Sequence, residues 1–210
     1  MDKYLSIITN FGCHYTCPYC IVKENNLDIP VTTIDGLNNI QNAIKETGAN
    51  IISLSGGGDP LFHFSEHKDW YKKLYELTTL PLEMHTSYVV PPLDFPFRRY
   101  KRIVYHIRDF NDLNMIRKHG NEIIRVVFVV TKDFTKNYVR KISDFVKKSD
   151  VIDELSFRQM IDTNYNTTMY LHKYLKNGHK KDWYYIEQND YNVYYVENNL
   201  YYKYKNIGGK

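Results

Sequence analysis

Three side chains can do metal or redox chemistry together here: Cys13, Cys17 and Cys20, which fall within "GCHYTCPYC" and are the chain's whole cysteine content. An odd number of thiols cannot be used up in disulfides. Thiolates bind soft metals, and zinc and iron–sulfur clusters are the usual guests of closely spaced cysteines. A structural zinc needs four protein ligands, so His14 or His63 would have to complete the set. A four-iron cluster held by three cysteines keeps one iron open, and an open iron is a place where a ligand can bind.

A second stretch could build a site by its backbone. Ser55-Gly56-Gly57-Gly58-Asp59-Pro60-Leu61 follows the apolar run Ile51-Ile52-Ser53-Leu54. A glycine run alone reads as a tight turn. A tight turn alone does not account for the acid and the proline it carries.

Both stretches need elements to position them. Apolar, β-branched runs predict strands at Leu5–Ile8, Ile51–Leu54, Leu82–His85, Arg102–Tyr105, Val126–Val130 and Leu155–Phe157. Between them, Ile34, Leu37, Ile40 and Ile44 share a helical face, with Thr33 to open it and Gly48 to stop it. Trp70, Leu74 and Leu77 make a second helix. Leu113 and Ile116, ending at Gly120, predict a short third. Val139, Ile142, Phe145 and Val146, opened by Thr135, make another. "SYVVPPLDFPFRRY" carries three prolines and cannot hold a regular helix.

Strands separated by helices imply right-handed βαβ units and a parallel sheet. Six such strands are too few for a closed eight-fold barrel. The expected fold is α/β: a partial (β/α)6 TIM-like barrel, an open parallel six-stranded sheet, with a small C-terminal β-hairpin extension. The core is expected over residues 1–162. Residues 163–210 would form a short helix (167–177) and a Tyr-rich extension, with strands at Trp183–Ile186, Tyr191–Val196 and Leu200–Tyr204. In parallel α/β folds chemistry sits past the C-terminal strand ends, which is where both stretches lie. The tyrosines of the extension are expected to pack on the barrel or shield its mouth.

Composition narrows the class. The chain has 210 residues, 43% hydrophobic and 25% charged, as expected of one soluble domain. No apolar run approaches the ~20 residues of a membrane span, and the N-terminus lacks a signal-peptide pattern. A reducing, cytoplasmic setting is expected. The net charge of +4 is scattered, which argues against nucleic acid.

Cys-x3-Cys-x2-Cys after the first strand, with aromatic Tyr19 before the last cysteine, resembles the signature of radical S-adenosylmethionine (SAM) enzymes. The glycine turn resembles that family's "GGEP"-like motif, departing from it by one extra glycine and by Asp for Glu. "VVFVVTKD" (126–133) and "LSFRQM" (155–160) look like its fifth and sixth strands.

The resemblance implies an enzyme. Cys13, Cys17 and Cys20 would ligate a [4Fe-4S] cluster. Gly57, Gly58 and Asp59 would hold the methionine end of SAM. Thr86, Ser87, His106 and Arg108 would meet its carboxylate and ribose, Arg108 being the best carboxylate partner because its fork suits one. Reductive cleavage of SAM would yield a 5′-deoxyadenosyl radical that abstracts hydrogen from a small-molecule or nucleotide-like substrate. A flavodoxin or ferredoxin would supply electrons. The lack of a fourth cysteine argues against auxiliary clusters.

Two other branches are similar. "SLSGGGDPLFH" resembles glycyl-radical-enzyme activases of the anaerobic ribonucleotide reductase type, which would bring a protein partner. The 7-carboxy-7-deazaguanine synthases are also compact, but usually follow the last cysteine with Asp-Thr, where this chain has Ile21-Val22. A non-catalytic zinc or Fe-S module remains the alternative from a different class.

Overall fold

The computed structural model describes residues 2–179, 183–186 and 193–208. One sheet organises them. In chain order its strands are β1 (Tyr4–Ile7), β2 (Ile51–Leu54), β3 (Leu82–Thr86), β4 (Tyr100–Ile107), β5 (Ile123–Val130), β6 (Glu154–Gln159), β7 (Tyr184–Ile186), β8 (Val193–Val196) and β9 (Asn199–Tyr201). Their spatial order is β7-β6-β5-β4-β3-β2-β1-β8-β9. Every described neighbouring pair is parallel except the β8–β9 hairpin. The fold is thus α/β with a mostly parallel sheet.

The expected strands all form, and the sheet then grows beyond six. β7 joins the outer edge of β6, and β8 pairs in parallel with β1 at the opposite edge. The expected appended hairpin therefore corrects to an extension of the sheet itself, with Tyr194 opposite Ser6 and Tyr195 opposite Ile7. An edge strand leaves a row of backbone groups unpaired, and the tail covers those of β1. Residues 191 and 192 of the expected second tail strand lie outside the described residues. β9 ends at Tyr201, short of Tyr204.

The helices are α1 (Ile21–Glu24), α2 (Ile40–Thr47), α3 (Lys68–Leu77), α4 (Lys136–Lys148) and α5 (His172–Leu175). Gly48 ends α2 in the left-handed region at φ 64°, where lack of a Cβ removes the penalty. Thr135 opens α4, its Oγ1 accepting from Tyr138 N at 3.1 Å. Two expectations are corrected. Leu113 and Ile116 bury themselves without a regular helix, since only a 3-10 turn forms over Phe110–Asn114. The helix over 167–177 shrinks to α5. As expected, the Pro-rich crossover holds no α-helix.

Side chains alternate across a strand, so the parallel register sorts them onto two faces. One face carries Leu5, Ile7, Ile52, Leu54, Met84, Ile103, Tyr105, Ile124, Val126, Phe128, Leu155 and Phe157, all in the main core with Trp70, Leu74, Val139 and Ile142 from the helices. At roughly 1.5–3 kcal/mol per buried side chain, this layer is the largest favourable contribution to the fold. The other face carries Ser6, Ser53, Glu83, His85, Arg102, His106, Arg125, Glu154, Ser156 and Arg158. Near β1 and β8 that polar face is roofed by a small apolar cluster of Ile8, Ile29, Val196 and Ile207, joined by Tyr194, Tyr201 and Tyr204.

Candidate functional site

The cysteine loop leaves the C-terminal end of β1. Cys13, Cys17 and Cys20 are free and half-buried. Cys20 N donates to Cys17 O at 3.1 Å, which folds those two into one turn, and Cys20 then opens α1. Burial pushes the Cys17 thiol up. The Arg108 charge pulls it down, Cys13 and Cys20 push it up, and the Tyr19 hydroxyl, hydrogen-bonded to it, pulls it down. Tyr19 itself is raised to about 12, chiefly by burial.

Among the described residues no three His, Cys, Asp or Glu side chains converge in a ready-made metal geometry. The donor chemistry still fits a cluster. Three soft donors share one loop, close enough that the charge of each outer cysteine bears on Cys17, and a cation stands beside them.

The glycine turn abuts this loop. Asp59 N donates to Gly12 O at 2.8 Å. A Cβ on Gly58 would lie 2.2 Å from Gly12 O, and one on Gly57 would lie 2.4 Å from Thr9 O. Gly57 also sits at φ 69°, where a side chain is strained. The two glycines are therefore required where backbone meets backbone, and they clamp the turn after β2 onto the residues that lead into Cys13.

Asp59 points inward. Its Oδ1 accepts from Leu61 N at 3.0 Å and from Thr86 Oγ1 at 2.7 Å, and its Oδ2 from Ser87 N at 2.6 Å. Burial pushes its carboxyl up, against these hydrogen bonds, which pull it down. Three residues expected to meet a cofactor, Asp59, Thr86 and Ser87, are thus bonded to one another and tie the end of β3 to the glycine turn. The turn's outer side is met by the tail, where Gly57 N donates to Tyr204 Oη at 3.3 Å.

Arg108, just past β4, reaches the cysteine loop. Its guanidinium lies 3.9 Å from the Tyr15 ring centroid, a cation–π contact. His14 sits between Tyr15 and Tyr88, with ring centroids at 3.9 and 3.7 Å. His106 lies deeper, on the polar face. His106 Nε2 is 3.2 Å from His85 Nδ1, and His85 Nε2 is 2.7 Å from Glu83 Oε1. Burial holds both histidines below the usual imidazole range.

That face carries what sequence reasoning missed. Arg102 bridges Glu83 at 2.7 Å and Glu154 at 3.3 Å, and Arg125 meets Glu154 at 2.7 Å. Burial pushes Glu83 up, but His85 and Arg102 outweigh it and bring the carboxyl down to about 2. The signal lay in the period of two: charged residues alternate with apolar ones in LEMH, RIVYH and ELSFR. Only the strand register brings them together.

No family model matches the chain. Over 158 residues, 72% of this chain and 67% of the relative, it is 28% identical to the 7-carboxy-7-deazaguanine synthase of Clostridium acetobutylicum. Two solved structures of Streptococcus suis SuiB resemble it. One, bound to S-adenosylmethionine, has 13% identity and a TM-score of 0.58, covering 90% of this chain and 48% of SuiB. The other, bound to precursor peptide SuiA, has 14% identity and a TM-score of 0.59, covering 90% and 49%. The chain spans about half the length of those structures, and at this identity the likeness is one of fold: the α/β sheet that carries the cysteine loop is of the kind seen in SuiB.

Proposed function

We propose that this chain is a radical SAM enzyme whose residues 1–162 form an open, partial-barrel core. The observation that carries the reading is the cysteine loop past β1, clamped by the glycine turn past β2 and faced by Arg108 past β4. The likeness of fold to SAM-bound SuiB and the sequence likeness to the synthase support it.

In this reading Cys13, Cys17 and Cys20 hold a [4Fe-4S] cluster. When bound, the cluster supplies the electron that cleaves SAM into methionine and a 5′-deoxyadenosyl radical. The chain's own work is placement. Tyr19 and Arg108 tune Cys17 through a hydrogen bond and a charge, and Arg108 is the cation available to a carboxylate. Gly57 and Gly58 allow the turn to lie against the loop, offering backbone polar groups at short range. Asp59 anchors that turn to Thr86 and Ser87. The polar face orients the substrate, and the apolar roof around Tyr204 excludes water at one side.

The test is anaerobic purification. We expect a brown protein with about four irons that releases 5′-deoxyadenosine with dithionite and SAM, and loses both properties in Cys17→Ser. A colourless protein holding one zinc would overturn the proposal. The curated relative favours a second reading, 7-carboxy-7-deazaguanine synthase. Ile21-Val22 after the last cysteine speaks against it, and formation of that product decides it. The activase alternative requires a glycyl radical on a partner protein. SuiB, bound to its precursor peptide, adds peptides to the substrates worth assaying.

A further inference from the structure

Charges on the polar face are not evenly matched. On the rungs nearest the N-terminal strand ends each has a partner: Glu83 with Arg102, Arg102 with Glu154, and Glu154 with Arg125. Arg158 stands further along the same face, level with Val129 of β5 and Ile186 of β7, which offer no counter-charge. No carboxylate among the described residues forms an ion pair with it, and its enclosed Nε has no hydrogen-bond partner. Burial pushes its pKa down.

Two charges reach it from the paired network, Glu83 and Arg125, and they act in opposite directions. His106 of β4 stands on the same face, and burial, then the charges of His85 and Arg158, hold its imidazole well below the usual range. Tyr194 and Tyr184 flank Arg158 from β8 and β7. Arg158 lies one residue before the end of β6, toward the strand ends that carry the cysteine loop. Enclosing a guanidinium without a counter-ion is costly, and a fold that already pairs Arg102 and Arg125 has the means to avoid it. A planar fork whose enclosed Nε has no partner among the described residues matches a carboxylate or phosphate.

We propose that Arg158, with His106 on the same face, is the anion-recognising end of the substrate site and takes an oxyanion, carboxylate or phosphate, of a small substrate. The inference rests on the radical SAM reading for the word substrate. The binding site itself does not require the cluster.

The experiment uses the full-length protein as purified, with no cluster reconstitution. Inorganic phosphate and malonate are titrated at constant ionic strength, followed by calorimetry and thermal melting, into wild type, Arg158→Gln, Arg158→Lys and the surface control Arg98→Gln. We expect saturable binding of at least one anion, weakened about tenfold or more in Arg158→Gln, less in Arg158→Lys, and unchanged in Arg98→Gln. The preferred anion identifies the oxyanion. Arg158→Gln should melt no lower than wild type, because it sheds a charge that has no ion-pair partner among the described residues. Equal binding by wild type and Arg158→Gln, no binding by wild type, or a markedly lowered melting point in Arg158→Gln would each overturn the proposal. A parallel loss of SAM binding in Arg158→Gln would assign the arginine to the cofactor's carboxylate and overturn it as a substrate contact. Anion binding as expected in a protein that takes up no iron would refute the radical SAM reading alone.

Discussion

Alanine at Gly58 would drive a methyl group into the backbone of the cysteine loop. Its Cβ would stand 2.2 Å from Gly12 O and 2.9 Å from Gly12 C, where ordinary contact begins near 3.4 Å. The obstructing atoms are main chain and cannot rotate away. Either the turn after β2 lifts off the loop or the loop leaves the end of β1. Overpacking of this kind costs about 1–3 kcal/mol. Separation also breaks the 2.8 Å bond from Asp59 N to Gly12 O, worth about 0.5–1.5 kcal/mol. The expected loss is about 2–4 kcal/mol, or roughly 5–15 °C in melting temperature for a chain of this size. Thermal unfolding followed by circular dichroism reads it directly. Gly120→Ala is the control, because the one atom near its Cβ, Glu122 Oε2 at 3.1 Å, belongs to a side chain and not to the main chain. That variant should stay within about 0.5 kcal/mol of wild type. If Gly58→Ala melts within about 2 °C of wild type, the turn does not clamp the loop and the reasoning fails. On the proposed function, iron uptake in Gly58→Ala should fall as well, since the turn lies against the residues that lead into Cys13.

Other outcomes follow from the polar face and the tail. Glu83 has a folded-state pKa of about 2 against 4.5, so the stability it contributes is present above about pH 4.5 and lost as pH falls toward 2. That amounts to about 3 kcal/mol, and urea titrations across this range should show the acid loss flattened in Glu83→Gln, which also loses about 1–3 kcal/mol near neutral pH by leaving Arg102 with Glu154 alone. Glu197, in the β8–β9 turn, accepts from Thr33 N at 2.8 Å and Thr33 Oγ1 at 2.5 Å; Glu197→Ala should cost about 1 kcal/mol by equilibrium unfolding and loosen the hairpin in hydrogen exchange. Tyr204→Phe removes the hydroxyl that accepts from Gly57 N, and should cost about 1 kcal/mol with the apolar cluster intact, seen as a small fall in denaturant midpoint.

Much of the fold was legible because local chemistry and global structure agree. Ile51–Leu54 and Val126–Val130 are β-branched, apolar and fully or nearly buried, so a strand satisfies both propensity and burial. Gly48 and Thr135 act as stop and cap because each works through its own backbone or side chain within a few residues. The third helix was not legible in the same way. Leu113 and Ile116 are three apart and both buried, yet a 3-10 turn with Asp109 and Asp112 bonding its entry satisfies them as well as a helix would. The tail was misread for a different reason. Val193–Val196 was recognisable as a strand, but which strand it joins depends on β1 having a free edge 188 positions earlier in the chain, where Leu5 pairs with Val193, and local pattern carries no information about that.

The candidate site divides in the same manner. Identity and spacing alone brought out Cys13, Cys17 and Cys20, because ligand chemistry is a property of the side chains and a short loop keeps them near one another. The glycine turn was equally visible, since few other sequences tolerate its backbone. Tertiary structure decided what those groups face. It spent the Asp59 carboxylate on Leu61, Thr86 and Ser87, brought Arg108 to the cysteine loop, set Tyr204 on the amide of Gly57, and aligned the charges of four strands into one network that leaves Arg158 unpaired among the described residues. Side-chain type is written in the chain. Partnership is set by register and strand order, through contacts between residues far apart in sequence.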